Sequence, residues 1–207
     1  MLVIVGHGPS VVSARLGSWL DSQTVVRLKD CPYWKHGKYD PGVWGNRIDF
    51  MCATKVDWRR RFEQEHGYKP PLWLFDKERA WRHITPKATR LPARKLPLDN
   101  YFPEGVFISD VDRWMPYFLS FNPSRKQKPS VGLCALFCAV EQGYKEIGVI
   151  GFDSFFTDSR KTGKWHSDQD KCNWVHDQEA EQAAMKSLDA EIINLACSDR
   201  VSTAHGE

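Results

Sequence analysis

The chain has 207 residues, enough for one well-buried domain but hardly for two full cores. Its 42% hydrophobic and 27% charged residues are ordinary for a globular protein, and a formal net charge of +3 is too small to identify a partner. No apolar run reaches 18 residues and the six cysteines form no CxxC pair, so we expect neither a membrane span, a signal peptide nor a disulfide framework.

Short apolar runs alternate with helical patterns along the whole chain. This alternation predicts a single α/β domain over 1–207, with a Rossmann-like, mostly parallel central sheet. Strands are predicted at 2–5, 24–28, 48–53, 72–75, 106–109, 147–150 and 192–196. Helices are predicted to begin at Val11 and after a turn at 129–132, and to cover 76–83 and 178–190.

The first strand runs directly into a loop with two glycines, Gly6-His7-Gly8-Pro9-Ser10. Glycines let the backbone approach a ligand closely, and Ser10 is predicted to cap the helix that begins at Val11. A strand, loop and helix in this order present amide groups to a phosphate or a nucleotide. The second strand ends in Lys29-Asp30, while the aromatic stretch from Cys31 to Asn46 is predicted as a loop.

The composition changes between Lys55 and Asp99, where twelve Lys or Arg residues face six Asp or Glu residues and six aromatic residues. We treat 55–105 as a basic aromatic insertion. One interpretation is a solvated charged face whose aromatic residues anchor it to the core. The other is a groove for an anionic polymer, with phosphate contacts from the arginines and base stacking on the aromatic rings. The candidate contacts are Trp58, Arg59, Arg60 and Arg61.

Two acidic residues, Asp110 and Asp112, follow the predicted strand at 106–109. An Asp-x-Asp pair at a strand end is a weak candidate for a divalent metal on a nucleotide-sugar diphosphate. Acidic residues in the first turn of a helix explain the same pair adequately. We therefore expect no metal and no resident cofactor.

The stretch from Pro129 to Asp153 predicts a turn, a buried helix and a buried strand. Gly143 supplies the helix stop, because the residue after a helix often adopts a positive φ. The strand ends in Gly151-Phe152-Asp153, which places a carboxylate at its C-terminal end. Open α/β sheets bind their ligands at that end.

The polar stretch that follows, 154–174, is predicted as a lid loop. Next comes a Glu- and Ala-rich helix for which Asp177 is the expected N-cap. His176 therefore lies at the mouth of this helix. Glu181 lies on its first turn and a half, within reach of His176.

Three of these pieces resemble, in order, the motifs of the sialyltransferases, both the Golgi enzymes and the small bacterial lipooligosaccharide enzymes. Val5 to Asp30 resembles the large motif, whose bacterial loop reads G-N-G-P-S. Pro129 to Asp153 is similar to the small motif, P-S-T-G-x-L…G-F. His176-Asp-Gln-Glu-Ala-Glu181 looks like the very small motif, H-x-x-x-x-E. The matches span Leu2 to about Leu188, and the segment from Lys55 to Val106 contributes nothing to them.

The resemblance implies a variant of the GT-A fold with a small mobile lid. It also implies metal-independent, inverting transfer from a nucleotide sugar, with a CMP-sugar favoured. His176 takes the place of the general base, a role that needs a pKa near the working pH. Glu181 is expected to orient its ring. The positions that match the nucleotide site are Gly6, His7, Gly8, Ser10, Lys29, Asp30, Ser130, Gly132, Gly151 and Asp153.

The chain departs from the family pattern at several positions. His7 replaces the loop asparagine, and Lys29 or Asp30 replaces the asparagine at the end of the second strand. Phe155 and Phe156 stand where the bacterial enzymes use tyrosines to steady the departing phosphate. Because that phosphate needs donors or cations, the replacement candidates are Lys161, Lys164, His166 and Trp174.

The expected acceptor is a terminal sugar of a glycan or lipooligosaccharide. The basic aromatic insertion motivates an alternative, a nucleic acid acceptor as in viral DNA base modification. A third interpretation is a non-catalytic nucleotide-binding module. The expected location is the cytoplasm, with a membrane-peripheral position or a viral origin as alternatives, and the sequence leaves the oligomeric state open.

Overall fold

Seven parallel strands form one sheet at the centre of the computed structural model, which describes residues 1–29, 40–55, 57–84, 105–122, 127–156 and 176–197. The spatial order is β5-β4-β3-β2-β1-β6-β7, and every neighbouring pair is parallel. The α/β class and the parallel sheet are therefore confirmed. The strands are β1 Leu2–Val5, β2 Thr24–Leu28, β3 Phe50–Ala53, β4 Leu72–Leu74, β5 Val106–Ile108, β6 Glu146–Ile150 and β7 Glu191–Asn194.

Nine α-helices lie in the described part of the chain, and most of them connect successive strands. They are α1 Ser10–Ala14, α2 Gly17–Leu20, α3 Pro41–Trp44, α4 Asp57–His66, α5 Lys77–Ile84, α6 Val111–Phe121, α7 Val131–Glu141, α8 Asp153–Phe156 and α9 Gln178–Lys186. A 3-10 turn, Leu195–Cys197, follows β7. No helix in the described ranges combines the length and the apolarity that a membrane span requires.

The sheet is buried on both faces, which explains why its strands are continuous apolar runs such as LVIV in β1. On one face Leu2, Ile4 and Val26 pack with α6, α7 and α9 in the larger core. On the other face Val3 and Val5 pack against α1 to α3.

Helix α7 is the central helix of the larger core. Eight of its eleven residues are buried, from Gly132 to Ala139, and the helix packs against β1, β2 and β3. It ends where the sequence predicts, because Gly143 has φ +87° and its N–H donates to the carbonyl of Val140 at 3.0 Å.

Several boundaries differ from the sequence predictions. The predicted loop from Cys31 to Asn46 contains α3, which Asp40 caps through the N–H of Gly42 and which has proline at its first position. Helix α9 ends at Lys186 rather than Ala190. Strand β7 ends at Asn194 because Leu195 and Ala196 enter the 3-10 turn.

Several aromatic residues of the 55–105 segment contribute to the core. Trp73 and Phe75 are each 2% exposed in the larger cluster, and Phe62 of α4 is 4% exposed in a smaller cluster with Met51 and Leu74. Strand β4 lies between β3 and β5. The described part of this segment is therefore built into the sheet, as an anchored face and not as a peripheral addition.

Candidate active site at the switch point of the sheet

The ends of β1 and β6 lie side by side at the point where the strand order reverses. From β1 the chain proceeds through β2 to β5 in one direction, and β6 then returns to the other side of β1. This is the switch point of an open α/β sheet, the place where such sheets bind ligands outside the C-terminal ends of their strands. We use "switch point" below for residues 6–10 and 151–153, which follow these two strands.

The two loops of the switch point touch through their backbones. The N–H of Gly6 donates to the carbonyl of Ile150 at 2.7 Å, and that of Gly8 donates to the carbonyl of Gly151 at 2.9 Å. A Cβ at Gly8 would lie 1.8 Å from Oδ2 of Asp153 and 2.6 Å from the carbonyl of Gly151. Glycine is therefore required at position 8 by the approach of the second loop.

Ser10 does not cap α1, contrary to the prediction. The N-cap is Pro9, without a side-chain capping bond, and Ser10 is the first residue of the helix. Its hydroxyl instead donates to Oδ2 of Asp153 at 3.1 Å and accepts from the N–H of Gly151 at 3.0 Å. The backbone N–H of Ser10 also reaches Asp153, at 3.4 Å. Ser10 thus joins the two loops, and Asp153 occupies the position at the start of α1 where the sequence suggested a phosphate.

His7 and Lys29 lie at the adjoining ends of β1 and β2. The His7 side chain is directed toward β2, with Nε2 at 3.2 Å from the carbonyl of Leu28, and the residue is exposed. Lys29 has φ +37°, a region that non-glycine residues seldom occupy, and its N–H donates to the carbonyl of Cys52 at 2.8 Å. The backbone therefore turns sharply at the end of β2, next to the His7 ring.

The N-terminus of α7 meets the switch point through Phe152. Ser130 is the N-cap of α7, and its Oγ accepts from the N–H of Leu133 at 3.3 Å. A Cβ at Gly132 would lie 3.0 Å from the ring of Phe152. The small residue predicted at position 132 therefore allows the first turn of α7 to approach the end of β6.

His176 precedes α9 and contacts the turn that leads into α7. Its Nδ1 lies 2.9 Å from the carbonyl oxygen of Lys128. Because a carbonyl only accepts, Nδ1 of the neutral ring carries the proton and Nε2 carries the lone pair. The side chain is 36% exposed. This arrangement suits a base that must take a proton from a substrate.

Glu181 lies beneath His176, and only 4% of it is exposed. Its Oε1 accepts from the N–H of Ser130 and lies 3.9 Å from Nδ1 of His176, beyond hydrogen-bond distance. Burial raises the pKa of Glu181 to about 8, against the opposing effect of the hydrogen bonds from Ser130. Asp177, the N-cap of α9 as predicted, adds a smaller increase to this pKa.

The structure thus connects most of the predicted site residues. Contacts run from Gly6, Gly8 and Ser10 to Gly151 and Asp153, from Phe152 to α7, and from Ser130 at the start of α7 to Glu181 of α9. Other predicted positions lie outside the described residues, namely Asp30 and the four leaving-group candidates Lys161, Lys164, His166 and Trp174. Most of the predicted lid, 157–174, lies outside them as well, whereas Phe155 packs in the larger core beside Phe152.

Asp110 and Asp112 point to different partners. Asp110 caps α6 by accepting from the N–H of Arg113 at 3.2 Å. Asp112 forms ion pairs with Arg79 and with His83 of α5, and Arg79 holds the pKa of Asp112 below its usual value. Their explanation as helix-terminal acids therefore has direct support from the contacts.

The three consecutive arginines of α4 also have different environments. Arg59 is 2% exposed, and burial lowers its pKa. Arg60 pairs with Asp57 at 3.7 Å, and the guanidinium of Arg61 lies 5.4 Å from the centre of the Trp58 ring. The prediction that Arg59 contacts an acceptor is wrong, because its position on the helix turns it into the core. Nucleic acid as the acceptor stays a prediction.

Some contributors to this site have no sequence signal. The carbonyl oxygens of Leu28 and Lys128 anchor the rings of His7 and His176. Every residue offers the same backbone carbonyl, so only the fold identifies these two. Phe152 does carry a sequence signal, because a large aromatic residue directly after Gly151 at a strand end is typical of a packing role.

Comparison with solved structures adds an independent observation. No protein-family model matches the sequence, and no curated protein sequence matches it either. The fold is similar to the monofunctional α-2,3-sialyltransferase Cst-I from Campylobacter jejuni, at 15% identity over 99% of this chain and 78% of that chain, with a TM-score of 0.57.

Two structures of a second sialyltransferase show the same similarity. A variant of the α-2,3/8-sialyltransferase CstII has 14% identity, coverage of 98% and 84%, and a TM-score of 0.57. CST-II in complex with a trisaccharide acceptor and CMP has 14% identity, coverage of 97% and 83%, and a TM-score of 0.56. The resemblance of this chain to the sialyltransferases is thus confirmed at the level of the fold.

Proposed function

We propose that this chain is a glycosyltransferase that moves a sugar from a CMP-activated donor to a hydroxyl group of a glycan, with inversion at the anomeric carbon. The observation that carries the proposal is the position of His176. Its ring is fixed by the Lys128 carbonyl, beside the N-terminus of α7, in a fold shared with sialyltransferases. A buried or misoriented histidine could not serve as the base.

In the proposed reaction the acceptor oxygen attacks the anomeric carbon of the donor sugar. Nε2 of His176 takes the hydroxyl proton while the bond between the anomeric carbon and the phosphate oxygen breaks. CMP leaves with the bonding electron pair. The step is balanced, because the proton lost by the acceptor is held on the imidazolium and later released to water.

The donor nucleotide is assigned to the switch point. Lys29, at the end of β2, can donate to its phosphate, and His7 at the adjoining end of β1 can do so as an imidazolium, because Nε2 faces the Leu28 carbonyl. Ser130 and Gly132 bring the first turn of α7 to the same place. Asp153 accepts from Ser10 in this assignment, so its predicted contact with the nucleotide becomes secondary to a role in shaping the loop.

A nucleotide panel tests the donor class. Melting temperatures are measured with CMP, UMP, UDP and GDP, and a ligand at 100 times its Kd stabilises the fold by about 2.7 kcal/mol. We expect CMP to give the largest shift. A larger shift with UDP or GDP contradicts the CMP assignment.

A transfer assay tests the reaction itself. CMP-sugars are incubated with glycan acceptors, and both CMP release and the glycosylated product are measured. We expect acceptor-dependent CMP release. CMP binding without hydrolysis or transfer, over the whole panel of sugars, contradicts the enzyme and favours a nucleotide-binding module.

A further inference from the structure

Glu181 is an unusual carboxyl group in this chain. Among the acidic side chains that the structure describes, it is the buried one, at 4% exposure. Its strongest contact is not with an arginine, a lysine or the neighbouring histidine. Oε1 accepts from the backbone N–H of Ser130, which begins another helix.

The contact completes the N-terminal cap of α7 from outside that helix. In a capping box the cap hydroxyl accepts from the N–H three residues later, and a Glu or Gln at that later position accepts from the N–H of the cap residue. Here Ser130 makes the first bond to Leu133. Leu133 has a hydrocarbon side chain without an acceptor atom and cannot make the second bond. Glu181 of α9 makes it instead.

The same turn is also held by His176. The Lys128 carbonyl accepts from Nδ1 of His176, and the Ser130 N–H donates to Glu181. Two side chains at or near the start of α9 therefore form hydrogen bonds with the backbone of the turn 128–130. The distance of 3.9 Å between Nδ1 and Oε1 leaves the ring without a direct hydrogen bond to the carboxyl group. The ring position therefore depends on how α9 is placed against α7.

We propose that Glu181 is a positioning residue that completes the α7 cap from α9 and thereby fixes the His176 ring, and that it is not the ionic partner of the imidazole. The inference rests on the proposed function in one respect, namely that His176 is the base. The contacts of His176 and Glu181 with the turn from Lys128 to Ser130, which we call the clamp, are a feature of the fold and do not depend on the identity of the substrate.

The charge state of Glu181 agrees with this role. Burial raises its pKa to about 8, so the group is a carboxylic acid at neutral pH. A neutral acid can accept the Ser130 N–H with one oxygen and donate its own proton from the other. It provides no full negative charge to stabilise an imidazolium.

Helices α6, α7 and α8 pack against α9 and contribute titratable groups around Glu181. The titratable groups just before α9 are His176 and Asp177, and Asp177 adds to the increase in the pKa of Glu181 that burial causes. The other helices contribute Cys134 of α7, whose own pKa is raised by burial; Tyr117 of α6, bonded to the Ala184 carbonyl; and Asp153 of α8, bonded to Ser10.

The raised pKa has a definite consequence for stability. In the unfolded chain Glu181 titrates near its ordinary value of 4.5, and in the folded protein near 8. Between these values the folded state binds more protons, so the contribution of Glu181 is fully present below pH 4.5 and is lost as the pH rises to about 8. Above that value the contribution is constant.

The test compares Glu181→Gln with Glu181→Ala, using Glu179→Gln on the exposed side of the same helix as the matched control. Gln keeps both hydrogen bonds without titrating, whereas Ala removes them. We expect kcat/KM to fall by about 10- to 100-fold in Glu181→Ala and to be restored to within about threefold by Glu181→Gln. We expect the control to behave as wild type.

Two further measurements need no substrate. The melting temperature of wild type falls between pH 5 and 8, and this slope flattens in Glu181→Gln but not in the control. The pKa of His176, followed by NMR and assigned with His176→Ala, changes by less than about 0.3 in Glu181→Gln. An ionised Glu181 predicts instead a decrease of about one unit or more.

The outcomes separate the two proposals. If Glu181→Gln loses as much activity as Glu181→Ala, or if the pKa of His176 falls by about one unit, the positioning role is overturned. The role is also overturned if Glu181→Ala leaves both the melting temperature and the His176 resonances unchanged. If wild type turns over no nucleotide sugar, the proposed function fails. The NMR and melting data still decide whether Glu181 positions the His176 ring.

Discussion

The switch point and the segment from Asp57 to Ile84 are built in opposite ways. At the switch point, small residues let two loops touch through their backbones, and Ser10 and Asp153 join them. In the other segment, large aromatic side chains anchor two helices and a strand, while Arg60, Lys69 and Arg79 form ion pairs with Asp57, Glu63 and Asp112. The first construction leaves polar groups converging beside the strand ends. In the segment from Asp57 to Ile84, charged groups form ion pairs with other side chains of the protein.

The difference teaches that charge composition is a poor guide to a binding surface. A positive segment becomes a surface for anions only if its cations share an exposed face. Of the three arginines of α4, one is buried, one is paired and one lies on Trp58. The following predictions test this contrast, from the largest expected effect to the smallest.

The first prediction concerns the base. His176→Ala should lower kcat by about 10²- to 10⁴-fold, because no base is then positioned to take the proton from the hydroxyl group of the acceptor substrate. The melting shift with CMP should stay as in wild type. The matched control is His83→Ala in α5, where the histidine is paired with Asp112 and should leave kcat unchanged. Full activity of a folded His176→Ala protein contradicts the assignment.

The second prediction compares glycines from the two regions. Gly8→Ala should destabilise the fold by about 3 kcal/mol, because its Cβ would meet Asp153 and the carbonyl of Gly151. Gly67→Ala, after α4, should cost only about 1 kcal/mol, since φ is +65° but no atom lies within 4 Å of the new Cβ. Chemical denaturation measures both values, and equal losses would remove the contrast.

The third prediction separates neighbouring arginines. Arg59→Ala should lower the free energy of unfolding by about 2 kcal/mol through lost packing of its buried stem. Arg60→Ala, whose side chain is 72% exposed, should change it by less than about 0.5 kcal/mol. If Arg60 proves to be the more important residue for stability, the description of α4 as an anchored face is wrong.

The smallest effect is expected at Asp112. Asp112→Asn should cost less than about 1 kcal/mol at neutral pH, because the pair with Arg79 is half exposed. Arg79 lowers the pKa of Asp112, so the contribution is present above the ordinary value of 3.8 and is lost as the pH falls below it. The unfolding curves of variant and wild type should therefore converge in acid. A gap that persists there contradicts an electrostatic origin.

Much of the fold could be predicted from local patterns. Strand β2 has the predicted bounds, and β1 and β6 differ from theirs by at most one residue. Runs such as LVIV and IGVI have few alternatives to a buried parallel strand, and Gly143 has the positive φ that a helix stop requires. Helix α3 was missed because a four-residue helix carries too little periodicity, even with Asp40 and Pro41 at its start.

The site was predictable in part, for a related reason. Asp177 caps its helix as expected, because a cap acts within three residues of its position. Ser10 looks the same in sequence, yet it bonds to Asp153, 143 positions away. The partner of a polar side chain is local at some positions and distant at others, and only packing distinguishes the two cases.

The sequence by itself determined the α/β class, the order of the strands along the chain and the residue types that converge at the switch point. These depend on backbone preferences and on hydrophobic burial, which act within a few residues. The tertiary structure decided that β6 lies beside β1, that Arg59 is buried, and that Glu181 completes the cap of α7. Each of these depends on which distant segments share a surface, and burial there changes both the partners and the charge of a side chain.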